Sequence, residues 1–198
     1  MALTLNGSAN TIAGLAVGGL PDGIVDTDMI AANAVTAAKA AGRGLTEIDQ
    51  WRLNASTTLG DGNDIITSNW ERVDTAPNSG KLGTGMSQSS GVWTFPSTGW
   101  WHVTYEIQWF STQDVRYAYA IVDTAAGTQI AEAQNSIAMN GSSWWGSFVS
   151  CQFIVDITDT SADSNKLRFR VNSESDVALG SSTSDTRVNV SFIKLAET

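Results

Sequence analysis

His102 is the only histidine in the chain and Cys151 the only cysteine. Acid–base or nucleophilic chemistry would have to be assembled around one of them or from carboxylates. His102 stands on the polar side of an alternating run, with no second histidine or acidic pair near it in sequence, and reads as a surface histidine. Cys151 shares parity with Val149 and Phe153, so it reads as a buried thiol acting as a small hydrophobe rather than as a nucleophile. A lone cysteine also leaves no intrachain disulfide framework. The run Asp61, Gly62, Asn63, Asp64 supplies oxygen ligands suited to Ca²⁺, with Asp61, Asn63 and Asp64 as the candidates. It lacks the spacing and terminal Glu of an EF-hand loop, and a polar turn is the preferred reading. Asp156 with Asp159, and Glu174 with Asp176, are read with the same caution. Glycan cleavage needs two carboxylates at fixed separation in a cleft, and nothing in the spacing marks such a pair. The expectation is a protein with no catalytic residues, no cofactor and no metal.

The elements that carry these residues are strands. From Trp101 the odd positions are Trp101, Val103, Tyr105, Ile107 and Trp109, and the even ones His102, Thr104, Glu106 and Gln108. Side chains alternate across a strand, so one face is apolar and the other polar, as in a half-buried antiparallel strand. A shorter strand precedes it and ends at Phe95-Pro96, before the turn Ser97-Thr98-Gly99. Further segments follow the same logic: Ile48, Trp51 and Leu53; Ile66, Trp70 and Val73; Val115, Tyr117, Tyr119 and Ile121 against smaller residues. A weaker strand or pair of strands lies at 128–138. Val149, Cys151, Phe153 and Val155 share a face, as do Leu167, Phe169 and Val171, and Val188, Val190 and Phe192. Together these make roughly eight to ten short strands with polar turns between them, which implies an all-β, antiparallel two-sheet jelly-roll sandwich. The last strand runs almost to Thr198 and is expected to pair deep in a sheet.

Composition agrees. The chain has 198 residues, 42% hydrophobic and 16% charged, with eight tryptophans to bury large areas in few positions. A formal net charge of −9 disfavours a nucleic-acid partner, which needs clustered Lys and Arg. No apolar run approaches the roughly 18 residues of a membrane span, and the N-terminus lacks the basic start and apolar stretch of a signal peptide.

Residues 1–43 differ from the rest, being rich in Ala, Gly, Asn and Thr and free of aromatics. Leu3 and Leu5 alternate, and the glycines with Pro21-Asp22-Gly23 read as a connector. Asp26, Thr27 and Asp28 could cap a helix ending at Lys39 and Gly42, with Ile30, Ala34, Ala37 and Ala41 on one face. A helix of about 15 residues is marginal alone. The segment therefore reads as an oligomeric stalk or attachment arm, with a flexible tail as the alternative, before a head domain at 44–198.

Two stretches carry a resemblance. GVWTFPSTGWWHVTYEIQW, from Gly91 to Trp109, resembles the core of the C1q/TNF-like jelly roll, where a short strand ending in F-P leads through a glycine into a long central strand. RVNVSFIKL, from Arg187 to Leu195, is similar to that family's last strand, and the likeness spans about 45–198. The segment Gly14–Lys39 looks like the arms of fibre and appendage proteins of tailed bacteriophages. Joined, they imply a virion structural protein: a homotrimeric phage fibre on the tail or capsid surface, bound to other virion proteins through 1–43 and to a host-surface glycan or protein through its head. A capsid decoration or head-fibre protein with a mainly stabilising role is the alternative. No collagen-like G-X-Y stalk is present, so the partners of vertebrate members are not carried over, while axial calcium, found in some C1q-like trimers, stays open.

Tandem tryptophans bear on assembly. Adjacent strand residues point to opposite faces, so Trp100, beside inward Trp101, and Trp144, beside Trp145, are expected to leave the core. Trp100, Trp144, Tyr117 and Tyr119 are the candidates for the trimer interface, with covered sheet edges and sugar stacking as the other readings. Leu15, Val17, Leu20, Ile24, Val25, Met29 and Ile30 are the apolar candidates for attachment to the particle. The polar loops 111–114, 139–143 and 172–186 are the candidates for host contact.

Overall fold

The computed structural model describes residues 4–6, 11–13, 44–60, 62–77, 80–138 and 145–198. Contacts divide the chain into Met1–Arg43 and Gly44–Thr198. In the first unit, β1 (Thr4–Asn6) pairs antiparallel with β2 (Thr11–Ala13). The helix expected over 26–42, and all seven attachment candidates, lie outside the described residues.

The second unit is a sandwich of two antiparallel sheets, and its short strands outnumber the sequence expectation. They are β3 (Ile48–Leu53), β4 (Thr58–Leu59), β5 (Gly62–Ile65), β6 (Trp70–Arg72), β7 (Lys81–Leu82), β8 (Ser87–Ser89) and β9 (Val92–Thr94). The longer strands follow: β10 (Gly99–Ser111), β11 (Val115–Thr124), β12 (Gln129–Ile137), β13 (Trp145–Ile157), β14 (Leu167–Ser173), β15 (Val177–Leu179) and β16 (Asn189–Ala196). Residues 128–138 thus form a single strand, and among the described residues the only helical piece is a 3-10 turn at Asp163–Asn165.

One sheet is centred on β10, which pairs with β13 along its whole length and on its other side with β16 and then β15. β16 pairs in turn with β3, and β3 with β6 and β7. The last strand therefore lies inside the sheet, as its alternating pattern requires. The other sheet runs β12-β11-β14-β9-β8, with β5 also on β14. The two inner faces interlock in one core. Trp101, Val103, Tyr105, Ile107 and Trp109 from β10 are buried, as are Leu167, Phe169 and Val171 from β14 and Val190 and Phe192 from β16.

Aromatic rings join the layers. Trp93 meets Trp51 at 5.2 Å and Trp70 at 5.4 Å, both edge to face, and also packs on Phe169 at 5.7 Å and Phe192 at 5.4 Å. The F-P-x-x-G element has a steric reason. Gly99 opens β10 at φ 134°, a conformation that favours glycine, and a Cβ there would lie 2.6 Å from Lys194 Cε.

The structure corrects several expectations. In β11 the small residues Ala118 and Ala120 face the core, and Tyr117, Tyr119 and Ile121 take the opposite parity. In β3, Ile48 and Trp51 are only half-buried, while Asp49 and Arg52 are buried with Leu53. Asp49 accepts hydrogen bonds from Trp51 Nε1 (2.9 Å), Arg72 Nε (2.8 Å) and the Met86 N–H (2.6 Å). Arg52 donates to Asp74 (2.8 Å), Thr75 (3.1 Å) and the Thr183 carbonyl. A buried charge is tolerable only when paired and hydrogen-bonded.

The indole N–H of Trp93 finds no acceptor among the described residues, so its contribution is packing. Trp93→Ala is expected to lower unfolding free energy by about 3–5 kcal/mol in urea titrations. Trp93→Phe is expected to lose far less, because it keeps a ring and removes the unpaired donor. Equal losses for the two variants would assign Trp93 a polar role.

Candidate functional site

The pleat of β10 sends its even residues to the outside of the sheet, where β13 and β16 add their own outward positions. His102 faces Ile154 on β13 and Ile193 on β16 as direct cross-strand partners. Trp100 follows, 45% exposed, with Ile154 at 59% and Leu195 at 49%. The β10–β16 register shifts between Trp100 and Trp101, pairing Trp100 with Ala196 and Trp101 with Lys194. Leu195 is left as the extra residue of the bulge, a local twist that re-aims side chains. The sole histidine thus sits amid Trp100, Ile154, Ile193 and Leu195, in an apolar patch on an outward sheet face. Opposite Trp100, Asp156 keeps one carboxylate oxygen out of solvent without a donor among the described residues.

The middle of the face is polar. Thr104 faces Gln152 and Ser191, and Glu106 Oε2 accepts from Asn189 Nδ2 at 2.9 Å. At its far end Gln108 faces Phe148, 52% exposed, and Phe110 lies against Gly146, where a Cβ would come within 2.7 Å of the Phe110 ring. Contiguous exposed apolar groups rimmed by polar ones mark interaction sites.

The candidate interface residues are not brought together. Trp100 lies on this face, as its parity required. Tyr117 and Tyr119 lie on the outside of the other sheet, with ring centroids 5.5 Å apart. Trp144 lies outside the described residues, and Trp145, expected inward, is 42% exposed because it stands at the first residue of β13. Sequence reasoning missed Phe148, Ile154, Ile193 and Leu195. The signal was legible: each is a large apolar residue on the otherwise polar parity of its strand.

The remaining candidates fall singly. Asn63 and Asp64 are neighbours in β5 and so point to opposite sides. Asn63 Oδ1 accepts from Arg170 Nη1 at 2.6 Å, and Asp64 Oδ2 caps the Gly60 N–H at 3.0 Å; Asp61 lies outside the described residues. No cluster of three or more His, Cys, Asp or Glu is placed to hold a metal among the described residues. Asp159 accepts from the Ser161 hydroxyl and N–H, which holds its carboxyl below the usual range. Glu174 takes the Arg116 side chain at 2.6 Å and its N–H at 2.7 Å, with the same effect. Of the proposed contact loops, 139–143 lies outside the described residues. The stretch 172–186 is not one loop, because it begins in β14 and contains β15, with Val177 and Leu179 buried.

With the geometry in place, the fold can be compared with known proteins. No family model and no curated protein matches the chain. Among solved structures it is similar to the Eiger TNF of S. frugiperda, with TM-score 0.52 and 12% identity over 79% of this chain and 96% of that one. It is also similar to the PRD1 vertex protein P5, with TM-score 0.49 and 11% identity over 77% of this chain and 99% of that one. The head is an antiparallel jelly-roll sandwich of the TNF-like kind.

Cys151 is 4% exposed and unpaired, and burial pushes its thiol pKa up. At any given pH less thiolate is present than for a free cysteine, and the thiolate is the nucleophile. Iodoacetamide labelling of the native protein at pH 8 is expected to be slow and to reach the free-thiol rate only in denaturant. Rapid native labelling would show a reactive cysteine.

Proposed function

We propose that this chain is a non-enzymatic structural protein of a phage virion: a homotrimeric appendage, held to the particle by residues 1–43, whose jelly-roll head contacts the host surface. The observation that carries the assembly is the apolar patch of Trp100, Ile154, Ile193 and Leu195 around His102. These residues sit on a rigid sheet, where exposure is costly unless a partner covers them. A second copy is the fitting partner, since most soluble oligomers are homomeric and closed by rotational symmetry. The virion assignment is supported by the likeness of Gly14–Lys39 to phage appendage arms. Three weak head sites on one rigid trimer gain avidity through effective concentration.

Light scattering of the full-length chain on a sizing column is expected to give a trimer, and Ile154→Asp or Trp100→Ser a lower mass with unchanged circular dichroism. Monomeric wild-type protein would remove the trimer. Immunogold labelling of particles with antibody to the head is expected to mark the virion. Label on the tail supports a fibre, label on the capsid supports the decoration reading, and unlabelled particles would sink both.

A further inference from the structure

The outside of the second sheet inverts the usual economy of a strand. β11 buries Ala118 and Ala120 and turns the rings of Tyr117 and Tyr119 outward. Core packing does not require this arrangement, since the rings contribute nothing to the core they face away from. The two rings lie with centroids 5.5 Å apart and planes 47° from parallel.

The surroundings of the pair narrow the ligand chemistry. Tyr119 is flanked by Gln134 on β12 and by Asn172 on β14, and Asn172 in turn by Asn63 on β5. One row across four strands therefore reads Gln134, Tyr119, Asn172, Asn63, all on the outward parity. Each amide carries two donors and an acceptor. Two arginines near the row are engaged by carboxylates. Arg170 binds Asp123 through Nε (2.6 Å) and Nη2 (3.0 Å), and also Gln129 and Asn63. Arg116 is held by Glu174. The row itself thus offers an aromatic face and amides and contains no cationic residue, in a chain of net charge −9.

We propose that this face is a binding platform for neutral saccharides, with the rings of Tyr117 and Tyr119 stacking on sugar rings and Gln134 and Asn172 hydrogen-bonding their hydroxyls. Tyrosines give large, rigid contact area at low entropic cost, and aromatic faces accept C–H groups. Vicinal hydroxyls both donate and accept, as the amides do. Acidic polysaccharides are disfavoured by the absence of free cationic groups in the row and by the net charge. The inference names the ligand class and the site for the host-contact part of the proposed function, and rests on that reading only for its biological setting.

The test is affinity electrophoresis of the full-length protein through gels containing a neutral glucan, a mannan or a galactan, with hyaluronan as the acidic control. Retardation is expected in at least one neutral gel and not in hyaluronan. Tyr119→Ala is expected to weaken the apparent affinity by about tenfold or more. Tyr119→Phe, which keeps the ring, should run as wild type. No retardation in any neutral gel, or equal retardation of Tyr119→Ala, overturns the proposal. Binding of labelled protein to host cells separates it from the broader reading. Cells bound equally by wild type and Tyr119→Ala would leave host contact standing and remove this site from it. Retardation without any cell binding would keep the site and remove the host.

Discussion

The pleat of β10 is the constraint on which the rest of the head depends. Its thirteen residues are bonded to β13 on one side and to β16 and β15 on the other, so its register fixes theirs. The odd residues commit the inner face to tryptophan, valine, tyrosine and isoleucine at 0–1% exposure. A slip of one residue would send all of them into water and bring His102, Thr104, Glu106 and Gln108 inside, which makes the register strongly determined. The outward face is specified by the same register. Trp100 and His102 sit where they do because Trp101 and Val103 must be inside.

The core is finished at its margins by charge. Asp49 ties β3 to Arg72 and to the Met86 N–H, while Glu47 takes the N–H groups of Thr84 and Gly85. The irregular segment between β7 and β8 is thereby fastened to the sheet through carboxylates. Lys194, 5% exposed, continues the inward parity of Val190 and Phe192 and places its ammonium between Ser97 and Glu197. These ions sit where apolar filling would leave backbone N–H groups and turn residues unpaired. Their gain lies in fixing loop positions more than in net stability, since desolvation offsets much of the attraction. Arg52 shows the limit: its Nε lies 3.6 Å from Glu71 Oε2, and neither atom completes a hydrogen bond.

Alternation made the sandwich legible in the sequence, and where alternation was misleading the cause is local. Leu167, Phe169 and Val171 read correctly because large apolar and charged residues strictly alternate. YAYA at 117–120 does not announce its inward face, because either parity is apolar. The structure buries the alanines, with the bulky residues of β10 supplying the facing layer. Asp49, Arg52 and Lys194 could not be read as buried from residue type, since most of their partners lie 22 to 131 positions away or in a terminal turn. The patch around His102 was half visible. Trp100 stood out through its neighbour, whereas Ile154 and Leu195, apolar on polar parities, form a patch only because the register sets them beside it.

The two outward faces differ in a way that a closed assembly can use. One carries exposed aliphatic and indole groups, which favour a dry and extensive contact. The other carries half-exposed phenols beside amides, which favour a wet and shallow one. A rotationally symmetric oligomer that buries the first face around its axis must turn the second away from it, because the sheets are the opposite layers of one sandwich. Each closure therefore displays the tyrosine row once per subunit on the periphery. Shallow saccharide contacts are weak singly, but copies on a rigid core raise their effective concentration for one another. Under the proposed assembly, the same register that buries Trp101 and Val103 leaves one sheet for cohesion and the other for recognition. Neither role requires a catalytic group or a metal.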